Sequence, residues 1–155
     1  MCASHSHRTS YDNDEKKMEA FSSGDTDRIV HYVNEPGLAD SIRKVQGKHL
    51  FFSTNLTDII EGTDVIFLCL PTPPNMDGST NLTYYDAALE DIAKSLRERK
   101  DLRRVVVVNK STVPIGTANH LKSVLDSNKV ENVGVASNPE FLAEGTAVPE
   151  ARKPD

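Results

Sequence analysis

Three short stretches that are apolar at nearly every position constrain the fold of this chain more than any other feature. They are residues 65–70, 105–108 and 133–136. Strands that are covered on both faces of a parallel sheet show this pattern. Amphipathic helices are predicted between them, over residues 84–97 and 116–125, from apolar side chains at helical spacing. Because strands and helices alternate, the sequence predicts right-handed βαβ units and an α/β fold with a parallel sheet.

The first third of the chain has a less regular pattern. Two helices and a short strand are predicted there, over residues 13–23, 37–46 and 50–52. The segment 25–34 is ambiguous between helix and loop. Residues 1–10 are polar and are predicted to form a disordered tail. The predicted organisation is therefore this tail followed by one domain over residues 11–155.

The composition excludes several classes of protein. The chain has 155 residues and a formal net charge of −5, and an acidic balance does not favour a nucleic-acid partner. No apolar run reaches the ~18 residues of a membrane span. The N-terminus holds no apolar signal core, so we expect a cytoplasmic protein without a membrane partner.

The cysteines do not indicate a metal site or a nucleophile. Cys2, His5 and His7 form an incomplete ligand set, so no metal is predicted. Cys69 lies in an apolar strand, where a free cysteine is usually a small buried hydrophobe.

Polar or constrained residues follow each of the three apolar strands. Thr72 and Pro73 follow the first strand, Ser111 and Thr112 follow the second, and Glu140 follows the third. Ligands of open parallel sheets bind beyond the carboxyl ends of the strands. These segments are therefore expected to converge on one edge and form a site. Ordinary turns are the alternative, because Pro and Asn mark strand ends in any case.

The side chains at these strand ends suit chemistry on an anionic or hydroxylated ligand. Lys110 offers a positive charge, and Ser111 and Thr112 can hold water or a ribose hydroxyl. Glu140 and Glu144 are four residues apart and share a face if that stretch is helical. A carboxylate beside a hydroxyl and a lysine can position or deprotonate water. Alternatively, Glu144 is a simple charge at a helix end.

Asp12 is a separate candidate, just before the predicted helix at 13–23. In a dinucleotide-binding sheet, an acidic residue at the end of the second strand holds the hydroxyls of the adenosine ribose. A helix cap is the alternative function of a lone acid in this place. The Gly-x-Gly-x-x-Gly loop that precedes the acid in such sheets is absent from the sequence.

Two motifs complete the sequence evidence: Lys-Ser-Thr-Val-Pro at 110–114 and Ser-Asn-Pro-Glu-Phe-Leu-Ala-Glu-Gly-Thr-Ala at 137–147. Glu-Pro-Gly-Leu at 35–38 and Pro-Thr-Pro at 71–73 accompany them. Together they resemble the signature segments of the UDP-glucose 6-dehydrogenases, in the UDP-glucose/GDP-mannose dehydrogenase family. The resemblance implies a Rossmann-like fold. It also implies an enzyme that oxidises the 6-hydroxymethyl group of a nucleotide sugar to a carboxylate in two NAD-dependent steps.

The resemblance also implies roles for individual residues. Asp12 would hold the adenosine ribose of NAD. The other cofactor-binding residues would be Thr72, Pro73, Ser111, Thr112 and Glu144. Thr112 and Glu140 would be the catalytic pair that positions water and assists proton transfer. The residues against UDP-glucose or a related nucleotide sugar would be Glu140, Phe141, Leu142 and Glu144.

The chain departs from the family pattern at both ends. It starts where the family's second strand ends, so we expect an incomplete Rossmann-like sheet whose first strand and Gly-rich loop are missing. It stops before the family's central dimer helix, catalytic lysine and cysteine nucleophile. We therefore expect a partial NAD-binding domain of a homo-oligomeric enzyme, inactive by itself. The alternatives are a non-catalytic regulatory or interaction module, or part of a GDP-mannose or UDP-N-acetylhexosamine dehydrogenase.

Overall fold

The computed structural model describes residues 7–139 and 141–153 of the chain. The chain divides into two compact units. The first unit consists of Met1–Ile59 and Phe141–Asp155, and the second is Ile60–Glu140. Helices and parallel strands make up both units, so the predicted α/β class is confirmed.

The first unit contains a two-stranded parallel sheet. Strand β1 (Arg8–Tyr11) pairs with strand β2 (Leu50–Ser53), with Arg8 opposite Leu50. Three helices lie between these strands in the sequence: α1 (Glu15–Ser23), α2 (Thr26–Tyr32) and α3 (Leu38–Val45). A short helix α4 (Leu56–Ile60) follows β2.

Apolar residues from the three helices form the core of this unit. The fully buried members of the cluster are Met18, Phe21, Ile29, Ala39 and Ile42. Phe52 of β2 packs against it, with its ring centroid 5.7 Å from that of Phe21. Removing this apolar surface from water is the main force that holds α1, α2 and α3 against β2.

Local caps determine where α1 and α2 begin. The Asp14 carboxylate accepts the backbone N–H of Lys17, at 3.0 Å, at the start of α1. The Asp25 carboxylate accepts the N–H of Arg28, at 2.9 Å, at the start of α2. Both bonds satisfy donors that have no partner inside a helix. The segment 25–34, ambiguous in the sequence, is therefore mostly helical.

The predicted disordered tail requires a correction. Arg8–Ser10, assigned to the tail, belong to β1 and hydrogen-bond in register to β2. Every residue of β1 is exposed, so its sequence carries no apolar signal, and the pairing comes from a strand about 40 residues later. Residues 1–6 of the tail, with Cys2 and His5, lie outside the described residues.

The second unit contains a three-stranded parallel sheet in the order β3-β4-β5. The strands are β3 (Val65–Leu68), β4 (Val105–Asn109) and β5 (Val133–Ser137). Helix α5 (Thr83–Glu98) connects the first two strands, and α6 (Thr117–Ser127) connects the last two. All three strands begin at the residues predicted for them, and the two predicted helices are confirmed.

The helices of this unit bury one face each. The buried apolar residues of α5 are Tyr85, Leu89, Ile92, Ala93 and Leu96. Leu121 and Leu125 of α6 are completely buried, and α6 packs against both α5 and β5. The apolar spacing of three, four and seven residues in α5 matches the stripe of an amphipathic helix.

The prediction that residues 65–70 are covered on both faces is wrong for part of β3. Val65 is 47% exposed and Phe67 is 56% exposed, whereas Leu68 is buried. Side chains alternate between the faces of a strand, so one face of β3 is open to solvent and the other is packed. Cys69, predicted to be buried, is also exposed.

Candidate functional site

The carboxyl ends of β3 and β4 are joined by the side chain of Ser111. Its Oγ accepts the backbone N–H of Leu70 at 2.7 Å and lies 3.2 Å from the carbonyl oxygen of Leu68, to which it can donate. Ser111 is 8% exposed. Its hydroxyl is therefore engaged with the backbone, which favours a role in shaping the site. Its predicted contact with the cofactor stays a prediction.

Thr72 and Thr112 meet at the same edge of the sheet. The Thr72 hydroxyl donates to the carbonyl oxygen of Thr112 at 3.0 Å. Thr112 is exposed at the strand end, and Thr72 is half-buried. The neighbouring Pro73 is fixed through its carbonyl oxygen, which accepts the N–H of Asn81 at 2.8 Å. At this edge the exposed Thr112 therefore carries a hydroxyl, and hydrogen bonds hold the backbone beside it in place.

The third strand end joins this edge. The N–H of Asn138 donates to the carbonyl oxygen of Asn109 at 2.9 Å. The Lys110 ammonium donates to the carbonyl oxygen of Pro139 at 3.3 Å. Within the second unit, the predicted convergence of the three strand-end segments is therefore confirmed. Glu140, the next residue, lies outside the described residues.

Asn109 is a residue of this edge that the sequence reasoning did not single out. Its side chain is 1% exposed, and neither amide atom has a hydrogen-bond partner among the described residues. A buried amide without partners costs about 1–3 kcal/mol. Such a residue is rare in a native core and calls for an explanation, of which a functional role is one. The sequence did contain a signal for Asn109, which is a polar residue directly after four valines.

Asp12 lies at the carboxyl end of β1, in the first unit. Its Oδ2 is 2.6 Å from the Lys17 ammonium, and its Oδ1 accepts the N–H of Asp14 at 3.1 Å. Burial acts to raise the pKa of Asp12, but the bonds from Lys17 and Asp14 outweigh it and hold the pKa below 3.8. Asp14, not Asp12, caps α1, so the capping alternative for Asp12 is wrong.

We expect Lys17→Met to raise the pKa of Asp12, because the substitution removes the hydrogen bond and the charge of the ammonium and leaves the burial. In the wild type, the stabilisation from this carboxylate is present above its unfolded pKa and is lost as the pH falls through its lower folded pKa. Titration of the carboxyl carbon by NMR measures both midpoints. Lys16→Met, at an exposed neighbouring position, is the control; equal midpoints in the two variants would contradict the assignment.

The remaining predicted residues lie on a turn of the first unit. Phe141, Leu142 and Glu144 precede helix α7 (Ala147–Arg152), and all three are exposed. Residues 141–143 are not helical, so the shared helical face expected for Glu140 and Glu144 does not exist there. The turn is bonded to the loop before α3, where the Glu35 carboxylate accepts the N–H groups of Gly145 and Val148.

The chemistry of these residues fits NAD. Asp12 provides carboxylate acceptors at the end of a parallel strand, and ribose hydroxyls are donors. Thr112 adds an exposed hydroxyl at a second strand end. Within residues 7–139 and 141–153, no group of three or more His, Cys, Asp or Glu side chains is placed to hold a metal ion. No helix in those ranges combines the length and apolar character that crossing a bilayer requires.

Comparison with known proteins identifies the family. The model of the UDP-glucose/GDP-mannose dehydrogenase family, NAD binding domain, matches residues 1–155. UDP-glucose 6-dehydrogenase 1 of Oryza sativa subsp. japonica is 39% identical over 130 residues, which are 79% of this chain and 26% of the rice protein.

Two solved structures have the same fold. A UDP-glucose dehydrogenase from the archaeon Pyrobaculum islandicum matches with a TM-score of 0.83 and 33% identity, over 95% of this chain and 33% of its own. A GDP-mannose dehydrogenase from Pseudomonas aeruginosa matches with a TM-score of 0.81 and 27% identity, over 96% of this chain and 34% of its own. The chain thus spans about a third or less of these relatives. By this evidence it belongs to the UDP-glucose/GDP-mannose dehydrogenase family of NAD-dependent nucleotide-sugar dehydrogenases, as its NAD-binding domain.

Proposed function

We propose that this chain contributes the NAD-binding part of an enzyme that oxidises UDP-glucose to UDP-glucuronate. The observation that carries the proposal is the arrangement of hydrogen bonds at the carboxyl edge of the β3-β4-β5 sheet. There the Thr72 hydroxyl donates to the Thr112 carbonyl, and the Ser111 hydroxyl accepts the Leu70 N–H just after β3. In open parallel sheets this edge is where dinucleotides bind. UDP-glucose is favoured over GDP-mannose because, among the solved structures, the Pyrobaculum UDP-glucose dehydrogenase is 33% identical, against 27% for the GDP-mannose dehydrogenase.

The residues of the chain have distinct proposed tasks. Asp12 accepts hydrogen bonds from the adenosine ribose, and Thr72, Pro73 and Thr112 line the remainder of the cofactor. Thr112 and Glu140 position water and assist proton transfer, and Phe141, Leu142 and Glu144 contact the sugar nucleotide. Bound NAD supplies the hydride acceptor.

The proposal assigns turnover to a longer protein. The chain covers 26% of the rice relative, and in this proposal further catalytic groups come from the parts of the enzyme that the chain does not match. We therefore propose that the 155-residue chain binds NAD weakly and forms no NADH with UDP-glucose. Homo-oligomeric assembly and a cytoplasmic location are parts of the same proposal.

The test is calorimetric titration of the purified chain with NAD. Asp12→Ala should weaken binding about tenfold or more, since a hydrogen bond to a charged group contributes about 1.5–3 kcal/mol. Asp91→Ala removes the same charge from an exposed position on α5 and should leave the affinity unchanged. Absence of NAD binding, or an equal loss in both variants, would falsify the proposed cofactor site. Formation of NADH with UDP-glucose would contradict the proposed inactivity.

A further inference from the structure

Glu35 makes a bidentate contact with a turn that lies 110 residues later in the sequence. One carboxylate oxygen accepts the backbone N–H of Gly145 at 2.8 Å, and the other accepts the N–H of Val148 at 3.2 Å. Hydrogen bonds to a charged acceptor are roughly twice as strong as neutral ones. The half-buried Glu35 therefore holds both ends of the turn that connects Glu144 to α7.

Glu150 holds the same turn from the other side. Its Oε1 accepts the Thr146 hydroxyl at 2.6 Å, and its Oε2 accepts the N–H of Ala143 at 2.8 Å. The hydrogen bond from Thr146, followed by that from Ala143, lowers the pKa of Glu150 below its ordinary value. The two carboxylates together engage four donors between residues 143 and 148.

Polar contacts, not burial, keep this segment in place. Helix α7 buries none of its six residues, and Phe141 is 86% exposed. Two further connections near α3 are small: Arg152 donates to the Ser41 hydroxyl at 2.8 Å, and Val148 lies close enough to Gly37 that a Cβ added there would be 3.7 Å from its Cγ1. With so little apolar surface removed from water, the hydrophobic effect contributes little to the position of the segment.

We infer that Glu35 is a positioning residue, whose carboxylate fixes the Ala143–Val148 turn and thereby the direction of Leu142 and Glu144. The inference rests on the proposed function, which assigns these two side chains to the sugar nucleotide. A carboxylate is required because two N–H donors point at two oxygens. Glutamine keeps the shape but offers one acceptor oxygen, and its NH₂ group faces a donor. Aspartate keeps both oxygens on a side chain that is one methylene shorter.

Residue-resolved amide hydrogen exchange on the complete chain tests the contact without any ligand. Glu35→Gln should accelerate exchange at Gly145 and Val148 about tenfold, the expected loss of one charge-assisted bond. Exchange at Ala143 and in α1–α3 should not change. Glu150→Gln is the matched variant and should release Ala143 instead. Glu131→Gln, an exposed change of the same charge in the second unit, should alter neither.

Several outcomes would overturn the inference. Fast exchange of Gly145 and Val148 in the wild type means that the contact is not populated. Equal acceleration across the first unit in Glu35→Gln means that Glu35 only stabilises the fold. Partial restoration of protection in Glu35→Asp, with the thermal midpoint unchanged, supports the positioning role.

A second experiment measures the affinity for UDP-glucose, followed through the NMR chemical shifts of the Leu142 methyl groups. Glu35→Gln should weaken the affinity several-fold, with Glu35→Asp intermediate. Increased exchange with unchanged affinity would show that the turn does not govern the substrate contact, against the inference. A wild-type chain that binds no UDP-glucose overturns the proposed function and the substrate half of the inference. The exchange rates still decide whether Glu35 holds the turn.

Discussion

Replacing Leu121 by alanine is expected to lower the free energy of unfolding by about 2–5 kcal/mol. Leu121 is completely buried in α6, where the helix packs against α5 and β5. The substitution removes buried methylene and methyl groups and leaves a cavity that the surrounding helices fill only partly. Urea unfolding followed by circular dichroism measures the loss as a lower midpoint with an unchanged slope.

Leu102→Ala is the matched control for this substitution. Leu102 is 77% exposed in the loop before β4, so the same chemical change removes little buried surface. We expect an effect within about 0.5 kcal/mol. If the two alanine variants unfold at the same urea concentration, the packing described for α6 is wrong.

The second large effect is expected from Ser111→Ala. The substitution removes the acceptor of the Leu70 N–H and the donor to the Leu68 carbonyl, at a position that is 8% exposed. The Leu68 carbonyl keeps the backbone N–H groups of Lys110 and Ser111, so the cost of about 1–3 kcal/mol comes from leaving the Leu70 N–H without its acceptor. Because Ser111 joins the ends of β3 and β4, NAD affinity should also fall, which calorimetric titration of the variant measures.

Ser123→Ala separates this effect from the general consequence of replacing a serine. The Ser123 hydroxyl donates to the Asn119 carbonyl one turn earlier, on the exposed surface of α6. Alanine has the higher helix propensity there, so stability should be unchanged or slightly raised. If Ser123→Ala lowers the stability as much as Ser111→Ala does, the hydrogen bonds of Ser111 at the strand ends do not explain its effect.

The second unit was largely predictable from sequence because its elements are defined by local pattern. Each strand is an apolar run, and α5 repeats its apolar residues at helical spacing. Strand β1 lacks such a pattern, since Arg-Thr-Ser-Tyr is exposed throughout and is a strand only because β2 pairs with it. The exposure of Val65 and Phe67 was also unpredictable, because an apolar run does not show what covers each face.

The candidate site was predictable as a set of residues but not as a set of bonds. The residues after the strands were recognised from their position, and Ser111 and Thr112 do lie at one edge. The sequence could not show that the Ser111 hydroxyl is engaged with the backbone of Leu70. Nor could it pair Glu35 with Gly145, because a contact across 110 residues leaves no local pattern.

The first unit is formed by two separate stretches of the sequence, and this affects the order in which a growing chain acquires its contacts. Residues 60–140, the whole second unit, are synthesised before the segment Phe141–Asp155 that completes the first. At ribosomal rates of about 5–20 residues per second, Gly145 follows the last residue of the second unit by about 0.25–1 s, so Glu35 gains this partner only after that unit has been synthesised. A nascent chain from which residues up to about 140 have left the ribosome, and Gly145 has not, would therefore display a complete second unit and a first unit without its final turn. Proteases and chaperones that meet the nascent chain would encounter these two parts in different states of completion.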